Sequence, residues 1–209
     1  MGFIRAALMF LQRVRRRGGG RGGSGTGGGT RTGSRIPAQV NTRQFKDCSQ
    51  AANAVNGVEV GSASSPFTSD PTSSTPRVVK NRDGTFTAST GMKWQLDTAN
   101  AKSTVTRPTW PNMSAADKAA ADRFVDALHA HEEGHHQVVR DVMAQAPKTI
   151  RANGATADEA VANLEAERED QLRRAQERVN TRNAEYEAKT ANGTNQATVG
   201  GTNVFLRCP

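Results

Sequence analysis

Two histidines four residues apart enclose a glutamate in His131-Glu132-Glu133-Gly134-His135, and this H-E-x-x-H spacing is the one with which zinc hydrolases hold their metal. On a helix, side chains four apart lie one above the other on the same face. Both imidazoles can therefore reach one ion while Glu132 stands beside them. Zinc held by two or three protein side chains keeps a coordination position open for water and acidifies that water. An adjacent carboxylate then takes the proton as the water attacks a carbonyl carbon. The expected chemistry is hydrolysis of a peptide bond, with His131 and His135 as Zn2+ ligands and Glu132 as general base and later proton donor to the leaving amine.

The surrounding pattern places the motif. Phe124, Leu128, His131, His135, Val138 and Val142 recur at steps of three and four and mark one helix face. The histidines thus fall in a core-facing stripe, where each imidazole needs a partner. A shared metal ion supplies one while keeping both rings neutral, and a hydrogen-bonded histidine pair is the other solution. His129 and His136 stand one residue off the matching positions and are expected to flank the site. Gly134 would let another segment approach this helix closely.

The helix has readable ends. Ser114 is a good cap with Asp117 three residues on, and the pattern runs to about Ala146, just before Pro147. Asn153-Gly154 closes this segment. Thr156 with Glu159 forms a capping-box pattern that opens a second helix reaching roughly Ala188. Its apolar face is Val161, Leu164, Leu172, Ala175, Val179 and Tyr186. Two amphipathic helices joined by a short connection pack antiparallel, so the histidine stripe should face the second helix.

Upstream the chain reads differently. Residues 36–75 are rich in Ser, Asn, Thr and Gly with irregular apolar spacing; a short helix is expected over Gln44–Val55 and a loop over Ser62–Thr75. Val78-Val79 and Thr85-Phe86-Thr87 flank the turn signal Asp83-Gly84, and Met92–Leu96 and Ser103–Thr106 alternate like half-buried strands. Pro108 and Pro111 should then break the chain around Trp110. The predicted class is α+β: a small antiparallel sheet of three or four strands, followed by a long antiparallel helical hairpin carrying the H-E-x-x-H, a zincin-like arrangement.

Charge divides the chain in two. The net charge of +8 lies entirely in residues 1–35, which hold eight arginines and no acid, so the remaining 20 basic residues balance the 20 acidic ones. The same stretch carries eleven of the twenty glycines, and such a segment buries too little apolar surface to offset its ordering entropy. Residues 1–35 are expected to form a disordered tail and 36–209 one domain. The run Ala6–Leu11 is short for a signal peptide, is followed by Arg13–Arg17, and lacks a small-residue cleavage site at the right place. The tail suits contact with anionic surfaces or an export address, and it also suits a merely solubilising linker. No stretch approaches a membrane span in length. A neutral domain behind a tail whose only aromatics are Phe3 and Phe10 argues against specific nucleic-acid binding. Cys48 and Cys208 lack metal-site spacing; they suit either one bridge tying the ends of the domain in an oxidising compartment or two buried free thiols.

Four places together resemble a bacterial family of predicted secreted zinc-dependent proteases. They are the strand with Trp94; Thr104–Trp110, similar to the family's strand ending in Pro-x-Trp; His131–His135; and Tyr186–Gly193, which matches the family's Tyr-Asp-x-x-Thr-x-His-Gly except for Glu187 in place of Asp and Asn192 in place of His. The resemblance implies a secreted or cell-envelope zinc metalloendopeptidase acting on protein or peptide substrates. It also implies Glu187 as the third ligand, with Asn192 beside the site. Hairpin geometry points elsewhere. A straight antiparallel partner puts residues near 172–174 opposite His135, leaving Glu187 about 20 Å farther along and Glu169 or Glu165 nearer the level. Glu177 projects about 160° from the apolar face and is excluded on a regular helix. The alternative function is a non-catalytic zinc-binding or interaction module, whose closed structural site would need four protein ligands.

Overall fold

The computed structural model describes residues 36–209, so the expectation of a disordered tail falls outside the described residues. The domain is α+β. In chain order it has β1 (Ala38–Gln44), α1 (Cys48–Val55), β2 (Gly61–Ser64), β3 (Phe67–Pro71), β4 (Arg77–Lys80), β5 (Phe86–Leu96), β6 (Lys102–Thr109), α2 (Ala115–Gln145), β7 (Thr149–Gly154), α3 (Ala157–Thr190) and a single 3-10 turn over Gln196–Val199. No helix among the described residues is long and apolar enough to cross a membrane.

The strands form two small sheets, where the sequence suggested one. In the first, β6 lies between β1 and β2. The β1–β6 pair is parallel, from Ala38 opposite Ser103 to Gln44 opposite Thr109, a departure from the expected all-antiparallel sheet. Pro108 sits inside β6 and does not break it. The β2 pairing covers only Lys102 to Val105, so no ladder bond on that side is asked of the proline, which has no N–H to give. In the second sheet β5 is the spine. Its residues Met92–Leu96 pair with β3, and its first half pairs with β4 and β7. Phe86-Thr87 and Met92–Leu96, expected in separate strands, thus lie in one, and Thr85 precedes it. Gly84, at φ +87°, makes the turn before it, and Asp83 accepts the Thr85 amide at 3.0 Å.

The helix ends follow their caps. Ser114 accepts from the Asp117 amide while Asp117 reaches back to the Ser114 amide, completing a capping box. Thr156 caps α3 through the Glu159 amide, and Glu159 reaches back one residue further, to Ala155. The helices are not joined by a short turn, as expected, because β7 intervenes. It pairs along β5 and buries Ile150 with Ala88, Met92, Ala160 and Leu164.

That strand resets the register between the helices. Six residues at about 3.3 Å each carry the chain about 20 Å away from the end of α2 before α3 begins. The first turns of α3 therefore pack on the sheet. Its middle packs Ala175 and Val179 against Val139 and Val142 of α2, and only its last turns come level with the histidines. Val139 joins this cluster, whereas Val138, assigned to the apolar stripe, is half-buried. A third cluster gathers Phe124, Leu128, Trp110, Val105 and α1 with Val204 and Leu206 from the chain end.

Candidate metal centre

His131, 3% exposed, and Glu132, 2% exposed, lie in the middle of α2 under the last turns of α3. Each of the two motif histidines is oriented by an amide oxygen. His131 Nδ1 donates to Gln196 Oε1 at 2.9 Å, and His135 Nδ1 donates to Asn183 Oδ1 at 3.1 Å. With both Nδ1 atoms engaged, the two Nε2 atoms turn to one point. There they meet the same carboxylate oxygen, Glu187 Oε1, at 3.2 Å from His131 and 2.7 Å from His135. The ligand atoms of His131, His135 and Glu187 all lie within 4.8 Å of one another.

Charge follows from this geometry. Burial works against an ionised Glu187, yet hydrogen bonds from His131 and His135 outweigh it and hold the carboxyl down at about 2. Burial likewise favours neutral histidines. Glu187, aided by Gln196 at His131 and by Asn183 at His135, overrides it and raises both. A divalent cation would satisfy the lone pairs of His131 Nε2, His135 Nε2 and Glu187 Oε1 at once. Glu187 Oε2 is buried with no hydrogen-bond partner among the described residues, which leaves a second carboxylate oxygen for such an ion. The donor set therefore fits zinc.

Glu132 stays out of this triad. Burial pushes its carboxyl up to about 7, against the pull of His135 and His131. The first strand residue beside it is Gly61 of β2, where a Cβ would overlap the Glu132 carboxylate. A carboxyl that shares its proton near neutrality and lies on the ligand helix is suited to proton transfer.

Gly134 carries the expected close approach. A Cβ there would collide with the Tyr186 hydroxyl, which donates to the His131 carbonyl at 3.1 Å and accepts from Gln196 Nε2 at 2.8 Å. Gly134→Ala should therefore weaken zinc binding and lower the melting temperature, although alanine favours a helix by about 1 kcal/mol over glycine. Thermal unfolding with a zinc titration checks this. A higher melting temperature with unchanged affinity would mean that Tyr186 does not dictate the glycine.

The other flagged residues fall outside the triad. Glu165 is exposed and paired with Arg168, Glu169 is exposed, and Glu177 pairs with Arg173 on the outer face of α3. Asn192 is exposed in a left-handed turn, φ 53°. The neighbour that reaches His131 is Gln196, four residues on. Gln196 and Asn183 lie outside the sequence motifs; Gln196 stands past the helix in a stretch with no periodicity, and Asn183 is a polar residue within α3. His136 flanks the site as expected. It is fully buried, its Nδ1 meets Ser65 Oγ, and burial lowers its pKa. His129 lies on another face, with Nε2 3.2 Å from the Ile36 carbonyl.

Comparison with known proteins bears on the segment containing this site. A family profile described as bacterial protein of unknown function (DUF922) matches residues 71–193, which include His131, Glu132, His135, Tyr186, Glu187 and Gly193. No curated protein and no solved structure matches the chain.

Proposed function

The chain belongs to the bacterial DUF922 family, and from the site that the family segment carries we propose that it is a zinc-dependent metallopeptidase of zincin-like design. The observation that carries this reading is the convergence of His131 Nε2 and His135 Nε2 on Glu187 Oε1, with both Nδ1 atoms already engaged. Outer partners of this kind fix the tautomer and aim of metal-ligating histidines. Zinc, when bound, would supply a Lewis acid and an acidified water. Glu132 would take the proton from the attacking water and return it to the leaving amine, roles that suit a carboxyl whose pKa is raised to about 7.

Substrate placement has a natural surface in β2. The strand pairs with β6, and Gly61 brings its backbone against Glu132, while Ser62 and Ser64 are exposed. A peptide added along this strand would lie beside the proposed base, its main chain held by hydrogen bonds. The disulfide between Cys48 and Cys208 supports a secreted or cell-envelope location. The arginine-rich tail would then serve contact with anionic surfaces.

A closed zinc module without activity is the other reading, and ligand number separates the two. Among the described residues the cluster has three metal-binding side chains, and both cysteines are spent on the bridge. Three ligands leave a position for water; a structural site takes four. Metal analysis of the purified full chain, with cleavage of an unfolded protein assayed before and after a chelator, tests the proposal. We expect one zinc per chain, and activity that the chelator removes and added zinc restores. Zinc that binds without any hydrolysis would move the chain to the module reading, and absence of zinc would end both.

A further inference from the structure

Beyond Val199 the chain has no regular element, yet it is fixed at several points. Val204 and Leu206, 2% and 1% exposed, are buried in the cluster around Phe124 and Leu128. The Val204 amide donates to the Gly193 carbonyl at 2.9 Å. Asn56, the C-cap of α1, brackets Leu206, giving its Nδ2–H to the carbonyl at 3.0 Å and accepting the amide at 2.7 Å. Cys208 is then joined to Cys48 at the start of α1.

The other end of the same segment touches the proposed metal centre. Ala191, Asn192 and Gly193 have φ of 47°, 53° and 83°, and three left-handed residues in a row turn the chain back over α2. Gly193 is wedged there: a Cβ would lie 2.5 Å from Val204 Cγ2 and 3.3 Å from His131 Cγ. The returning chain brings Gln196 to His131 and Tyr186. We propose, resting on the metal-site reading above, that residues 193–209 are a strap that orients His131 through Gln196 and that the Cys48–Cys208 bridge holds it closed, so that dithiol reductants weaken the metal centre.

The bridge is open to such a reagent, since Cys208 is exposed and Cys48 only half-buried. One thiolate of the dithiol attacks Cys208 Sγ, the bond between the two cysteines breaks, and Cys48 leaves as a thiolate that takes up a proton. The second thiol then closes on the mixed disulfide and releases Cys208, so the dithiol is oxidised by two electrons and the bridge reduced by two. What then holds the end of the strap is Val204, Leu206 and Asn56, while its start keeps the Gln196 contacts and the hydrogen bonds from Asn195 and Thr198 to the Thr190 and Lys189 carbonyls. Local opening carries Gln196 off the His131 ring, making Gln196 a positioning residue.

The test compares the oxidised full chain with its Cys48→Ser/Cys208→Ser variant by zinc titration and by amide hydrogen exchange. The variant should bind zinc about 10- to 100-fold more weakly, the cost of losing an outer partner of a metal ligand. Gln196→Ala should show a similar loss, and combining the changes should add little, because they act through one contact. Exchange should quicken over residues 193–206 and stay slow in α2, β5 and β7, and dithiothreitol on the wild type should reproduce the pattern. Equal zinc affinity overturns the proposal, as does unchanged exchange over 193–206. Loss of protection across the whole domain also overturns it, for the bridge then holds the fold and not the strap. Should the oxidised chain bind no zinc, the metal-site reading fails by itself, and the exchange result still decides whether the bridge holds a strap.

Discussion

Glu132→Gln should keep one zinc per chain and an unchanged melting temperature while lowering peptide hydrolysis about 10²- to 10⁴-fold, the usual worth of a positioned general acid-base group. The substitution preserves volume where volume is critical, because the carboxylate lies against Gly61 with no room to spare. It also costs little in charge. A buried carboxyl raised to about 7 carries its proton much of the time near neutrality, so a neutral amide suits the surroundings nearly as well. What the amide lacks is the ability to accept the water's proton. His131→Ala gives the contrast, losing zinc and hydrolysis together. A Glu132→Gln chain that cleaves unfolded protein as fast as wild type would rule out the peptidase mechanism while leaving the metal centre intact.

The helical half of this domain was legible because its signals are local. Ser114 with Asp117 and Thr156 with Glu159 mark the helix starts through hydrogen bonds spanning three residues, and the i, i+4 histidines share a face whatever the rest of the chain does. The sheets were less so. Pairing of β1 with β6 joins residues some 65 positions apart, and nothing in Ala38–Gln44, six of whose seven residues are exposed or nearly so, shows the alternation of a half-buried strand. The run Thr149–Gly154 hides a strand for a related reason. Ile150 is its one large apolar side chain, and its strand character comes from the partner β5.

Within the candidate site, His131, Glu132, His135 and Glu187 stand in motifs that the sequence displays, and the residues that aim the two histidines do not. Glutamine and asparagine are common on surfaces, and neither buried Gln196 nor half-buried Asn183 carries a local mark of its contact with a histidine. Gln196 becomes an acceptor for His131 only because three left-handed residues fold the chain back. The glycines were more informative. Gly134 was read as a point of close approach and meets Tyr186 there, whereas the fit of Gly61 against Glu132 depends on a sheet the pattern did not disclose.

Glu187→Ala should weaken zinc binding by more than the roughly 10- to 100-fold that loss of an outer partner costs, while Glu169→Ala leaves it unchanged. Straight-hairpin reasoning favours the opposite result, since it sets residues 172–174 beside His135. The difference lies in β7. By extending about 20 Å past the end of α2 before the chain turns helical again, it slides α3 so that Asn183 meets His135 and Glu187 meets both histidines. Glu169 is left exposed, short of the site along α3. Removing Glu187 would also strand buried His131 and half-buried His135, whose raised pKa values depend on it, so the variant should lose zinc and some stability together. Stability alone is therefore a poor readout. Zinc titration of both variants, with helix content monitored, separates the cases. Strong loss at Glu169 with none at Glu187 would move the third ligand about 27 Å along α3, at 1.5 Å per residue, and would overturn the register set by β7.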